Sequence, residues 1–178
     1  KKVILADSNY IEAYLHLADA FEKQKNNSKA IEMLQKYISK NELRYLFLTC
    51  KYILPTMIAK KRGAIVNVAS TSGMRWTGSA QVAYAATKAG VIQMTKVIAV
   101  QHAPMGIRAN TVVPGQLHTP MVEVRLAKQR TGGDVDALLA SRVKRIPLGF
   151  MGDGRDTASA ALFLASDEAQ FITGTEII

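Results

Sequence analysis

The sequence predicts an α/β fold in which a parallel sheet of about three strands carries flanking helices and follows an N-terminal α-helical hairpin. Short, apolar, β-branched runs at residues 64–69 and 107–113 predict the sheet, because such runs are typical of buried strands. Helical patterns separate these runs, as expected for parallel strands joined by crossover helices. Apolar residues that recur at helical spacing over residues 10–42 predict the hairpin.

The N-terminal part, residues 1–42, contains two amphipathic helical runs separated by a polar break at residues 25–28. The positions that define the pattern are Tyr14, Leu17, Ala18, Phe21, Ala30 and Leu34. This pattern resembles a tetratricopeptide repeat, whose unit is about 34 residues; a generic helical hairpin is the alternative. Because such repeats bury their apolar faces against neighbouring repeats, we expect a single one to cover another part of the chain rather than to form a peptide-binding groove.

Residues 43–178 supply the predicted sheet and its helices. The predicted helices span residues 43–58, 82–103, 134–143 and 156–165, and the predicted strands span residues 64–69, 107–113 and 174–178. Pro55 is expected to kink the first of these helices or to lie near its end, and Asp156 is expected to cap the last one. We therefore predict two parts, residues 1–42 and residues 43–178, that could fold as one unit.

The composition restricts the class of protein. Of the 178 residues, 48% are hydrophobic and 21% are charged, which is typical of a soluble globular protein. No apolar run reaches the ~18 residues that a membrane span needs. The single cysteine, Cys50, excludes an internal disulfide and fits a reducing compartment. These properties predict a cytoplasmic protein with no membrane contact.

The net charge of +9 raises the question of nucleic-acid binding. The basic residues are spread along both halves of the chain, and the densest group, residues 60–62, closes a predicted helix whose negative end is stabilised by cations. We therefore expect no nucleic-acid partner. The three histidines, His16, His102 and His118, lack metal-ligand spacing, so no metal site is expected.

Ser70, Tyr84 and Lys88 form a candidate proton-transfer group. Tyr84 and Lys88 lie four residues apart on a predicted helix, so their side chains share one face. A free tyrosine phenol has a pKa of about 10, and a neighbouring ammonium favours the phenolate, which makes the phenol a usable general acid or base. Ser70 ends the preceding strand at the carboxyl edge of the sheet, where ligands bind in such folds. Taken alone, the Tyr–Lys pair could also be a solvated surface pair.

Three segments carry a family resemblance: residues 64–70 with Gly73, residues 84–90 and residues 106–115, in this order. Together they resemble the short-chain dehydrogenase/reductase family over about residues 43–178. The resemblance implies a partial Rossmann-like sheet, NAD or NADP as cofactor, and a small alcohol or ketone as substrate. It also implies a homo-oligomer that associates through the helices at residues 43–58 and 82–103.

The same resemblance assigns roles to individual residues. It makes Tyr84 the catalytic acid/base, Ser70 the residue that orients the substrate carbonyl, and Lys88 the residue that favours the ionised phenol and hydrogen-bonds the nicotinamide ribose. The residues that it places around the cofactor are Lys88, Pro114, Gly115, Leu117 and Thr119. Residues 121–141 correspond to a mobile lid over the substrate.

The chain departs from the family pattern in its first part. The glycine-rich phosphate-binding turn of the family does not occur. When residues 43–44 are aligned with the family pattern, Glu42 stands where the family has a catalytic asparagine, and Asn41 is one position away. The missing turn predicts weak cofactor binding, so we expect a dehydrogenase/reductase by lineage that is inactive as this chain. The two fragments meet around residues 41–43, which favours a recombined or engineered chimaera. A non-catalytic chimaeric fold and a repeat-type protein-binding module are the alternatives to an active oxidoreductase.

Overall fold

The computed structural model describes residues 27–78, 80–120, 122–123, 132 and 134–178, and within residues 27–41 it describes the side chains of Lys29 and Met33 only. The first run of the predicted hairpin therefore lies outside the described residues. The helices are α1 (Asn27–Lys60), α2 (Val82–His102), α3 (Val135–Val143) and α4 (Gly154–Ala165), and the strands are β1 (Gly63–Val68), β2 (Ile107–Val112) and β3 (Glu176–Ile177). Short 3-10 turns at Thr71–Gly73, Ala103–Met105 and Asp167–Ala169 connect these elements.

The three strands form one parallel sheet in the order β1-β2-β3. The register of the first pair runs from Gly63 opposite Ile107 to Val68 opposite Val112. Helix α2 crosses between β1 and β2, and α3 and α4 lie between β2 and β3. The predicted α/β class, with a three-stranded parallel sheet and flanking helices, is confirmed.

Strand β1 is an edge of the described sheet. The N–H groups of Gly63 and Ala69 donate to Gly106 and Val112 on the β2 side, at 3.3 and 2.8 Å. Because backbone groups alternate in direction along a strand, the polar groups of Val68 point to the opposite, outer edge.

Helix α1 continues without interruption across residues 42–43, where the two predicted parts meet. Pro55 lies inside the helix and does not end it. The helix packs on α2 and the sheet through Leu43 and Leu46, which contact a buried cluster formed by Ala69, Val91, Ile92 and Val113. A second cluster contains Cys50, Ile98, Ala99 and Ala109. These two clusters fix the distance between α1 and the strand ends.

Gly106 lies in the tight connection between α2 and β2. Its φ is +76°, and a Cβ at this position would lie 2.2 Å from the carbonyl oxygen of Lys61. Only glycine combines the left-handed conformation with this close approach to another backbone. The loop that enters β2 therefore crosses directly over the loop that enters β1.

The capping of α4 differs from the prediction. Asp153, rather than Asp156, is the N-cap residue of α4, and its side chain accepts from the N–H of Arg155. Asp156 is the third helical residue, and its carboxylate accepts from the N–H of Asp153 at 2.7 Å. The two aspartates form a capping box, which satisfies two backbone donors at once. Asp134 is the N-cap of α3, and its side chain accepts from the N–H of Ala137 at 2.9 Å.

In the described part of the chain, no helix is both long enough and apolar enough to cross a membrane. No group of three or more histidine, cysteine, aspartate or glutamate side chains in that part could hold a metal ion.

Candidate active site

Ser70 follows β1 and begins the turn at the carboxyl edge of the sheet. It is the N-cap of the Thr71–Gly73 turn, and its Oγ accepts from the N–H of Ser72 at 3.2 Å. The N–H of Thr71 donates to the carbonyl of Pro114 at 3.2 Å, which joins the chain after β1 to the chain after β2. Among the described contacts, the Ser70 hydroxyl acts as an acceptor and its O–H donor is unused, so it can donate to a bound oxygen.

Gly73 brings this turn against α2. A Cβ on Gly73 would lie 2.6 Å from the backbone N of Ala89 and from the carbonyl carbon of Lys88. Contacts this short do not occur between real Cβ atoms and backbone. The absence of a side chain at Gly73 therefore allows the Ser70 turn to pack directly on the helical turn that carries Lys88.

Tyr84 and Lys88 share one face of α2, as their spacing predicts. Lys88 is buried, with 11% of its side chain exposed, and Tyr84 is half-buried. The Lys88 Nζ lies 5.6 Å from the centroid of the Tyr84 ring, a distance at which a cation is attracted to an aromatic face. The structure thus places the ammonium beside the phenol ring.

Lys88 has two further partners. Its Nζ donates to the carbonyl oxygen of Val68 at 3.3 Å, and it forms an ion pair with the carboxylate of Glu42. Glu42 lies on α1, 46 residues earlier in the chain, and 26% of its side chain is exposed. Glu42 is an unusual residue type at its position in the family pattern. No local sequence pattern predicts its ion pair with Lys88, because only the packing of α1 on α2 brings the two residues together.

The residues predicted to line the cofactor lie in the loop after β2. Leu117 bridges to Gly152 in parallel orientation, and the N–H of His118 donates to the Gly152 carbonyl at 2.8 Å. The Thr119 carbonyl accepts from the N–H of Val122 at 2.8 Å. These bonds attach the loop to the segment before α4 on one side and to Val122 on the other.

This loop also offers features that suit the nicotinamide end of a dinucleotide. Gly115 is exposed, and the nearest atom to a Cβ built there is Thr71 Cγ2 at 3.9 Å, so open space lies over the loop. Gln116, which the sequence reasoning did not single out, has a buried Oε1 with no hydrogen-bond partner in the described part of the chain. A buried acceptor left unpaired is costly, and an N–H or O–H of a ligand would satisfy it.

The diphosphate end of a dinucleotide finds less support. Such a group needs a glycine-rich turn that joins a strand to the N-terminus of a helix. The segment at residues 152–154 follows no strand and serves as the cap of α4, so it is not that turn. Among the described residues, the features that suit a dinucleotide therefore lie in the loop after β2, and residues 152–154 do not form the turn that its phosphates need.

A separate cavity of about 640 Å³ lies at the opposite edge of the sheet. It is lined by the amino ends of β1 and β2, including Gly63 and Ile107, and by Arg108 and Phe171. Ligands of open parallel sheets bind outside the carboxyl ends of the strands. The candidate site is consequently the edge that carries Ser70, Tyr84 and Lys88.

Comparison with known proteins adds a family relationship. A family model described as Enoyl-(Acyl carrier protein) reductase matches residues 16–178, so the match begins within the predicted helical hairpin. Oxidoreductase UcpA of Escherichia coli O157:H7 is 41% identical over 126 residues, which cover 71% of this chain and 48% of UcpA. The 2-keto-3-deoxy-L-fuconate dehydrogenase of Xanthomonas campestris pv. campestris is 39% identical over 134 residues, which cover 75% of this chain and 44% of that enzyme. The chain spans about half the length of these curated relatives.

Solved structures give the same relationship. A crystal structure of a protein from Burkholderia xenovorans, assigned to the short-chain dehydrogenases/reductases, matches with a TM-score of 0.72 and 62% identity. The match covers 78% of this chain and 52% of the Burkholderia chain. A 3-oxoacyl-[acyl-carrier protein] reductase with bound NAD from Brucella melitensis matches with a TM-score of 0.63 and 30% identity. The match covers 77% of this chain and 50% of the reductase chain.

Proposed function

The chain belongs to the short-chain dehydrogenase/reductase family, and from this premise we propose that it carries the proton-transfer half of an NAD(P)-dependent oxidoreductase. The substrate class is a small alcohol or ketone. The observation that carries the proposal is the packing of the Ser70 turn on the part of α2 that holds Lys88, with the ammonium beside the Tyr84 ring. This group lies at the sheet edge where ligands of such folds bind.

In this proposal, Ser70 and Tyr84 act on the substrate oxygen. The Ser70 O–H donates to that oxygen and orients it, while the Tyr84 O–H supplies the proton that converts a ketone oxygen into a hydroxyl. In the oxidation direction, the Tyr84 phenolate accepts the same proton. Lys88 favours the phenolate by its charge. The nicotinamide cofactor, when bound, supplies or accepts the hydride.

We infer that the cofactor is NAD or NADP and that this chain holds its nicotinamide end. The residues that would contact it are Lys88, Pro114, Gly115, Leu117 and Thr119, and the unpaired Gln116 acceptor lies in the same loop. The bound NAD in a related structure supports the cofactor class. Because no phosphate-binding turn occurs in the described residues, affinity is expected to be weaker than that of a complete dinucleotide site.

Direct binding of NADH and NADPH to the purified chain, measured by calorimetry, tests the proposal. Saturable binding that is lost in Lys88→Ala and retained in Tyr84→Phe is expected, since Lys88 contacts the ribose and Tyr84 acts on the substrate. Tyr84→Phe should reduce turnover of a ketone by about 10²–10⁴-fold, the usual contribution of a general acid. No binding at millimolar cofactor would contradict the proposal and favour a non-catalytic chimaeric fold instead.

We also propose self-association through α1 and α2. Both helices expose large apolar side chains, namely Tyr45, Phe47, Tyr52, Val97 and Val100. Burial of such surface stabilises an interface by about 25 cal/mol per Å². Sedimentation that gives a monomer at micromolar concentration would contradict this part of the proposal. A cytoplasmic location remains our expectation from composition.

A further inference from the structure

Among the described side chains of α1, Glu42 is a charged one that reaches the site. Its carboxylate pairs with the Lys88 ammonium, which also donates to the Val68 carbonyl. An ammonium has three N–H donors, so two of the three are engaged within the described part of the chain. Within that part of the chain, two charged side chains act near the Tyr84 ring: Lys88, which contacts the ring, and Glu42, which contacts Lys88.

The packing of α1 on α2 keeps Glu42 at this position. Leu43, the next residue, lies so close to α2 that a Cβ on Gly90 would be 2.9 Å from Leu43 Cδ1. Leu43 also packs on the buried cluster that includes Ala69 and Val113. Because the Glu42 backbone is held by these contacts, its carboxylate stays within reach of Lys88.

The charge of Glu42 opposes the two tasks assigned to Lys88. A carboxylate next to the ammonium cancels much of the field that would favour the Tyr84 phenolate. It is also a stronger acceptor than a sugar hydroxyl, because its full negative charge adds to the attraction of the ammonium. A ribose that accepts from more than one donor of Lys88 must therefore compete with Glu42 for the ammonium.

We propose that Glu42 is a positioning residue that restrains and neutralises Lys88, and thereby limits both ionisation of Tyr84 and binding of a nicotinamide ribose. The ribose part rests on the proposed function. The Tyr84 part does not, because it concerns the free protein. Glu42 thus sets how much of the Lys88 charge is available to the site.

Glu42→Gln tests this proposal, because glutamine keeps the shape and a hydrogen-bond acceptor but removes the charge. Tyrosinate absorbance is recorded against pH, and the same titration of a Tyr84→Phe variant in each background isolates the Tyr84 transition. We expect the midpoint of that transition to fall by about one pH unit, the lower end of the effect of one nearby charge. Glu168→Gln is the matched control, because Glu168 is exposed and follows α4 near the opposite edge of the sheet.

NADH binding gives the second readout. In Glu42→Gln we expect the dissociation constant to fall by about fivefold, which corresponds to about 1 kcal/mol. Circular dichroism at each pH confirms that the fold is retained, and Glu42→Asn and Glu42→Ala remove the same charge if glutamine is not tolerated.

The outcomes separate this inference from the proposed function. A Tyr84 midpoint that is the same in Glu42→Gln, Glu168→Gln and wild type overturns the role of Glu42, even if NADH binds. A shifted midpoint in a protein that binds no NADH supports the role of Glu42 and contradicts the proposed function. A shifted midpoint with unchanged NADH affinity overturns the competition for Lys88.

Discussion

Replacement of Gly73 by alanine tests whether the Ser70 turn is positioned by direct packing on α2. The added Cβ would lie 2.6 Å from two backbone atoms of α2, whereas ordinary contacts begin at 3.4 Å. The turn and the helix must therefore separate by about 0.8 Å, because neither backbone atom can rotate away. Overpacking of this kind costs about 1–3 kcal/mol of unfolding free energy.

The same displacement should affect the chemistry more than the stability. Ser70 lies at the start of the displaced turn, and Tyr84 and Lys88 lie on the helix from which it moves. A misplacement of about 1 Å can cost about 10²-fold in rate. If the proposed function holds, Gly73→Ala is expected to lower turnover by more than tenfold in conditions in which it remains folded.

Gly154→Ala is the matched control for Gly73→Ala. Gly154 is the first residue of α4, and a Cβ there meets no atom within 4 Å. Denaturant unfolding of both variants gives the free energy of unfolding, and a thermal scan should show a fall of about 2–4 °C for each kcal/mol lost. If Gly73→Ala is as stable as Gly154→Ala, with an unchanged denaturant slope, the turn does not pack on α2 in the way described.

Two further predictions concern the core behind the site. Thr95→Val should lower the unfolding free energy by about 1–3 kcal/mol, because the buried Asn67 amide donates to the Thr95 hydroxyl at 2.8 Å and would lose its acceptor. Denaturant unfolding measures this loss. The double variant Asn67→Leu with Thr95→Val removes both partners and should recover part of it. Burial raises the pKa of the Cys50 thiol above its ordinary value, and since the thiolate is the reactive form, a thiol reagent should label Cys50 slowly in the folded protein near neutral pH and rapidly in denaturant. Fast labelling of the folded protein would show that α1 does not bury Cys50 against α2 and β2 as described.

The strands and most helices could be predicted because their signals are local. The β-branched runs, the glycine and proline breaks and the four-residue spacing of Tyr84 and Lys88 each depend on neighbouring residues only. The predicted N-cap of α4 was wrong by three residues. Asp153 and Asp156 carry the same side chain, and only the backbone geometry distinguishes the N-cap residue from the third helical residue that bonds back to it. The ion pair of Glu42 with Lys88 could not be predicted, since the two residues meet only when α1 packs on α2. The unpaired Gln116 acceptor has no sequence signal of its own.

The contact between Lys88 and the outer edge of β1 also bears on how variants of this chain are interpreted. An edge strand with open backbone groups is a template for pairing with another chain, and lysine side chains are one means by which proteins discourage such pairing. The Lys88 ammonium donates a hydrogen bond to the carbonyl of Val68, a residue whose backbone polar groups point to that edge. Substitution of Lys88 consequently leaves an acceptor without its donor at an edge of the described sheet, as well as removing a charge. If Lys88→Ala loses cofactor binding, the loss can be ascribed to the missing ammonium charge only when the variant has the same size in solution as the wild type. Light scattering should therefore be measured together with the calorimetry.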